Sequence, residues 1–224
     1  MDFRLRLAFV SLAALALAAC GAVPEGRGAP PRGASSAVTI PVNPAARQCL
    51  SELGGAGIRF SAVADRYDGG GCGLRNAVSL SALQGDLGNF GVARLGPVAC
   101  PTAQAFAAWA RFGVDRAARE LLGSPVAEIE TMGSYACRNV AGSARRSAHA
   151  TAEAIDVAAF VLADGRRISV LEHWRGGTPR EREFLRTVQA SACKRFGTVL
   201  GPDYNSAHLD HFHLERGGAT GFCR

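Results

Sequence analysis

No run in this 224-residue sequence is apolar for long enough to cross a bilayer as a helix. The stretch from Leu7 to Ala19 has about 13 residues, where a span needs roughly 20. None of the six cysteines beyond Cys20 stands in a C-x-x-C pair, which argues against a cysteine zinc site. The basic residues are nearly all arginine and form no run interleaved with aromatics, so nucleic-acid binding is not expected. No segment repeats. Histidine is scarce, with five in the chain. The formal charge of +6 is mild. It would suit attraction to an anionic surface, but it is also common on proteins that bind nothing acidic.

What is present begins with a leader. Arg4 and Arg6 precede the apolar run, whose length fits a signal peptide over residues 1–19. The run ends in Leu17-Ala18-Ala19-Cys20-Gly21, which resembles the lipobox of bacterial lipoproteins. Acylation of Cys20 would make it the first mature residue and a firm membrane anchor. The bland alternative is ordinary cleavage at a small-residue site, with Cys20 incidental. Gly21 is not the aspartate that retains such proteins in the inner membrane, so an outer-membrane destination is expected. Export leaves Cys49, Cys72, Cys100, Cys137, Cys193 and Cys223 in an oxidising compartment. They allow up to three disulfides and about 15 pairings, among which the sequence does not choose.

Residues 20–45 are rich in Gly, Ala and Pro and cannot bury enough apolar surface to order themselves; they read as a flexible tether. The folded domain is expected over residues 46–224, long enough for a proper core. Cys49–Leu53 reads as a short helix, and Ile58–Ala62 and Ala77–Leu83 as strands around a glycine-rich loop. Apolar residues recur at helical spacing from Pro101 to Leu122, with Gly113 able to split the helix. Val126–Met132 reads as a strand, and Ala154–Leu162 with Arg167–Leu171 as a hairpin about Asp164-Gly165. Thr178-Pro179-Arg180-Glu181 opens a helix expected to reach Phe196. Phe212–Glu215 reads as a strand. Mixed elements without regular alternation predict an α+β single domain with an antiparallel sheet.

Four of the five histidines fall in two acid-flanked clusters, Ser147-Ala148-His149 through Asp156 and His208-Leu209-Asp210-His211-Phe212-His213. Zinc takes nitrogen, sulfur or carboxylate ligands and leaves a position open when catalytic. His149, Asp156 and His213 would supply two nitrogens and one carboxylate. His211 and His213 share a face on a strand, while Asp210 would be turned away unless it sits at a bend.

These residues carry a resemblance. Ser147-x-His149 with Ala154-x-Asp156 and the later Asp210-His211-Phe212-His213 resembles the LAS group of zinc D-alanyl-D-alanine peptidases and murein endopeptidases. The stretch from about Cys49 to Cys223 is similar more closely to the bacterial extensin-like C-terminal domain family. Gly133 to Arg138, Ala154 to Phe160, Leu200-Gly201-Pro202 and Asp210 to His213 carry that match. The resemblance implies a Hedgehog/DD-peptidase-like fold and one zinc ion held by His149, Asp156 and His213. It implies Asp210 as the base, His211 as the group that steadies the oxyanion or orients water, and Arg138 as the group facing substrate charge. Ser147 and His208 would lie around the ligands. Two departures stand out: Ala152 replaces a glycine of the wider group, and Asp210 is shorter than the usual glutamate.

The function expected is a zinc peptidase of the cell envelope. It would act as a monomer on peptidoglycan peptides next to a D-amino acid, tethered beside the wall on the periplasmic side. A zinc-containing wall-binding module that does not cut is the main rival, and a scaffold lipoprotein with an empty site the third. Each residue also has a plain reading: Asp210 as a carboxylate orienting a histidine, His211 as a packed histidine, and Arg138 as a structural ion pair. His173 and Glu153 are read as structural and exposed respectively.

Overall fold

The computed structural model describes residues 43–217 and 221–224. The leader, Cys20 and nearly all of the expected tether lie outside the described residues. Helix α1 (Pro44–Gly55) starts where Asn43 caps Ala45 N with its side chain and Pro44 takes the first turn. Strands β1 (Arg59–Ala62), β2 (Arg66–Gly69), β3 (Cys72–Leu74), β4 (Ala77–Gln84), β5 (Asn89–Ala93) and β6 (Pro97–Ala99) follow.

Helix α2 (Cys100–Trp109) runs on through wider π-type turns, Ala110–Asp115 and Ala118–Leu122. Gly113 does not split it. A Cβ at Gly113 would collide with the Ser191 side chain and approach Trp109, so the glycine permits a close helix crossing. Then come β7 (Val126–Gly133), a 3-10 turn (Ala148–Thr151), β8 (Ala154–Leu162) and β9 (Arg167–Ser169). Helix α3 (Val170–Gly176) begins where a longer strand was expected, because Ser169 caps Glu172 N. Helix α4 (Pro179–Ala192) carries the full capping box at Thr178 and Glu181. It stops short of Phe196. β10 (Thr198–Leu200), a 3-10 turn (Ser206–His208), β11 (Phe212–Glu215) and β12 (Phe222–Cys223) complete the chain.

Ten strands among the described residues form one sheet in the order β1-β4-β5-β7-β8-β11-β10-β12, with β6 on β4 and β9 on β8. The α+β class holds. The sheet is mostly antiparallel, but β5 pairs β7 in parallel and β10 pairs β12 in parallel. The first exception has a plain cause: α2 lies in the crossover between β5 and β7, and parallel neighbours need such a crossover.

The core lies on the helix-covered face of the sheet. Trp109, Phe160, Phe184, Trp174 and Phe212 are fully buried there. Trp109 donates its indole N–H to Val188 O at 2.8 Å, so its one polar group is satisfied. Strand β11 alternates: Phe212 and Leu214 join this core, which sends His213 and Glu215 to the opposite face. On β8, Ile155 and Val157 likewise face the core and Asp156 faces away. Three disulfides, Cys49–Cys100, Cys72–Cys137 and Cys193–Cys223, bind the periphery to this frame.

Candidate metal centre

His213 on β11 stands directly opposite Asp156 on β8 in an antiparallel register. Cross-strand neighbours bring side chains within a few ångströms, so the fold places this pair without help from a loop. His149 comes from the 3-10 turn. Ser147 opens that turn by accepting from His149 N at 3.3 Å. Ala152 closes it with left-handed backbone, φ 57°. In such backbone alanine carries a cost of about 1 kcal/mol that glycine would not. The Ala152 methyl is buried against Leu74 and Ala77.

His149 Nε2 lies 3.1 Å from Asp156 Oδ2 and 3.2 Å from His213 Nδ1. His213 Nδ1 lies 2.9 Å from Asp156 Oδ1. One donor atom from each of the three falls within 4.8 Å of the others. A tetrahedral ion with ligands at ~2.1 Å has edges of roughly 3.4 Å, close to these separations. The remaining ring nitrogens are also engaged. His149 Nδ1 is 2.5 Å from Ser134 O, and His213 Nε2 is 3.4 Å from Glu215 Oε2. Metal-binding histidines characteristically tie off the second nitrogen in this way.

Charge supports the same reading. Burial opposes ionisation of Asp156, but hydrogen bonds with His149 and His213 outweigh it and hold its carboxyl well below the ordinary range. Burial also disfavours a charged His213, yet bonds to Asp156 and Glu215 raise it to about 9. The centre thus attracts positive charge strongly, and a divalent cation would compete with the His213 proton for it.

Around the trio, His211 is nearly buried and points Nε2 to 3.6 Å from Asp156 Oδ1. Its Nδ1 is 2.8 Å from Asp210 Oδ1. Asp210 is half-exposed and bonds to His211 rather than facing the trio. Its place just before β11 and its short side chain account for this. His208 Nδ1 is 2.7 Å from Asn205 Oδ1. The His208 ring sits 5.1 Å from His211 and 5.9 Å from His213, centroid to centroid. Burial, followed by the charges of His211 and His213, lowers His208 to about 4.

Arg138 is exposed. Its carbonyl accepts from Ser147 N at 3.2 Å, and among the described residues its guanidinium makes no hydrogen bond or ion pair. His173 bonds within its own helix start at Ser169, and Glu153 is exposed. Beside Asp210 lies a groove of ≈ 380 Å³ whose walls include Arg94, Met132, Ala158, Arg167 and Leu171.

Three partners were not picked out from the sequence: Glu215, Asn205 and the Ser134 carbonyl. Glu215 carried a usable signal, since it follows His213 by two positions on a strand and shares its face. Asn205 and the Ser134 carbonyl depend on loop paths and carried none.

A family model described as Extensin-like protein C-terminus matches residues 47–224. No match was found among curated proteins, and none among solved structures.

Proposed function

Because the chain belongs to the extensin-like C-terminal family, we propose that it is a zinc-dependent peptidase of the bacterial envelope, related to the LAS peptidases and sharing their Hedgehog/DD-peptidase-like fold. Its substrate is the peptide of peptidoglycan, cut next to a D-amino acid. It works as an exported monomer held on the periplasmic side of the outer membrane by a lipid on Cys20. The observation that carries this reading is the convergence of His149, Asp156 and His213, with both outer ring nitrogens already engaged.

These three residues would hold the ion. When bound, zinc supplies Lewis acidity, polarising a carbonyl and lowering the pKa of water. Asp210 accepts the Nδ1–H of His211 and so leaves Nε2 as the free base, turned toward the trio. His211 Nε2 then takes a proton from the attacking water and returns it to the leaving amine. This division of labour differs from the one read in the sequence, where Asp210 itself was the base. The groove beside Asp210 is the seat we propose for the peptide, and the exposed Arg138 would meet a substrate carboxylate. Low exposure of His149, Asp156 and His213 keeps the reacting groups away from bulk water.

The test is metal content of the full chain with its disulfides oxidised, together with digestion of purified sacculi followed by mass spectrometry. Wild type should carry about one zinc per chain and release defined peptides. His213→Ala should lose both metal and products. His211→Ala should keep the metal and lose the products. Zinc without products from any wall would favour the binding module instead. Absence of zinc would remove the site assignment.

A further inference from the structure

We infer that Glu215 is a positioning residue for the metal centre, holding Nε2–H of His213 so that Nδ1 is the nitrogen offered to the ion. This rests on the zinc reading above and assigns a role to a residue outside the ligand trio.

A neutral imidazole has one N–H and one lone pair, and an acceptor beside one nitrogen decides which is which. His213 Nε2 faces Glu215 Oε2 at 3.4 Å. Its Nδ1 faces Asp156 and His149 at 2.9 and 3.2 Å. His149 has the opposite arrangement: its Nδ1 meets the Ser134 carbonyl at 2.5 Å, so Nε2 is left for the centre. The two histidines therefore present different ring nitrogens, each because the other nitrogen already has an acceptor.

The position of Glu215 is well fixed for this task. It lies on β11, paired with Ala154 of β8 on one side and Thr198 of β10 on the other. Strand alternation puts it on the face of His213. Its side chain is one-quarter exposed, and its Oε2 is the oxygen that meets the ring. An acceptor on the far nitrogen also makes the ligating nitrogen a stronger donor.

The experiment measures zinc affinity of the full, oxidised chain by competition with a chromophoric chelator, for wild type, Glu215→Ala and Glu215→Gln. Glu215→Ala should bind zinc about 10- to 100-fold more weakly. Glu215→Gln keeps an oxygen that accepts the N–H and should stay near wild type. Long-range ¹H–¹⁵N spectra of the zinc-loaded wild type should give His213 protonated at Nε2, with that signature lost in Glu215→Ala. Equal affinity in wild type and Glu215→Ala would overturn the inference and leave the zinc reading standing. A Glu215→Gln protein as weak as Glu215→Ala would also overturn it, since an acceptor alone would then not suffice. Wild type without measurable zinc binding would remove the zinc reading, and this inference with it.

Discussion

Asp210 and His211 are adjacent, yet they do different things. The half-exposed Asp210 carboxylate spends its hydrogen bond on His211 Nδ1, and His211 turns its other nitrogen toward Asp156. If His211 moves the proton and Asp210 only orients it, the two substitutions should not add. His211→Ala should lower the rate of sacculus digestion by about 10²- to 10⁴-fold. Asp210→Ala should cost less, and the double variant no more than His211→Ala alone. All three should retain zinc. If Asp210 were an independent base, the double variant would fall well below either single one, and the kinetics would separate the cases.

At the scale of elements, the loop leading to these residues is anchored by Asp203. It accepts from Trp174 Nε1 at 3.0 Å and pairs with Arg175 at 3.0 Å and Arg186 at 2.5 Å. The indole N–H, opposed by partial burial and joined by Arg186, holds the Asp203 carboxyl below the ordinary range. A carboxyl lowered on folding stabilises the native state above its unfolded pKa of about 3.9, and this is lost as pH falls through the lower native value. Asp203→Asn should therefore cost about 1 kcal/mol at pH 7, a modest figure because the pair is half-exposed. Urea melts repeated near pH 3 should find the difference reduced. A difference unchanged with pH would assign the effect to shape rather than charge.

The same scale marks how far the sequence could be read. β11 and the start of α4 follow from local rules, strand alternation and a capping box, and the His149, Asp156 and His213 grouping followed from spacing and family pattern. Val170 and Leu171 read as strand because they are apolar. The competing signal was the Ser169 cap, which starts α3. Gly113 read as a helix break, but its role lies in a neighbour 78 positions away, Ser191. Parallel pairing and cysteine partners also rest on contacts distant in sequence. Periodicity carries no information about those.

For the whole molecule, the three disulfides differ in what they hold. Cys49–Cys100 joins α1 to α2, and Cys193–Cys223 joins the end of α4 to β12. Cys72–Cys137, across 65 positions, joins β3 to the loop between β7 and His149. That loop is clamped again by Tyr135 donating to Asp68, by Arg66 over the Tyr135 ring, and by Arg146 Nε donating to Gly70 O at 2.5 Å. Its first residue, Ser134, supplies the carbonyl that orients His149, and its last, Ser147, caps the His149 turn. Replacing both Cys72 and Cys137 with serine should cost about 2–4 kcal/mol in denaturant melts, mostly by freeing the unfolded chain. The Cys49–Cys100 bridge closes a loop of similar separation, 51 positions, so replacing both of its cysteines should cost a similar amount. Zinc affinity should distinguish them. Loss of Cys72–Cys137 loosens the segment that aims His149, so binding should weaken by about tenfold, as when a histidine loses its supporting acceptor. Loss of Cys49–Cys100 should leave affinity near wild type. Equal affinities in the two double variants, measured where both remain folded, would mean that the β2–β3 clamp stabilises the fold without shaping the centre.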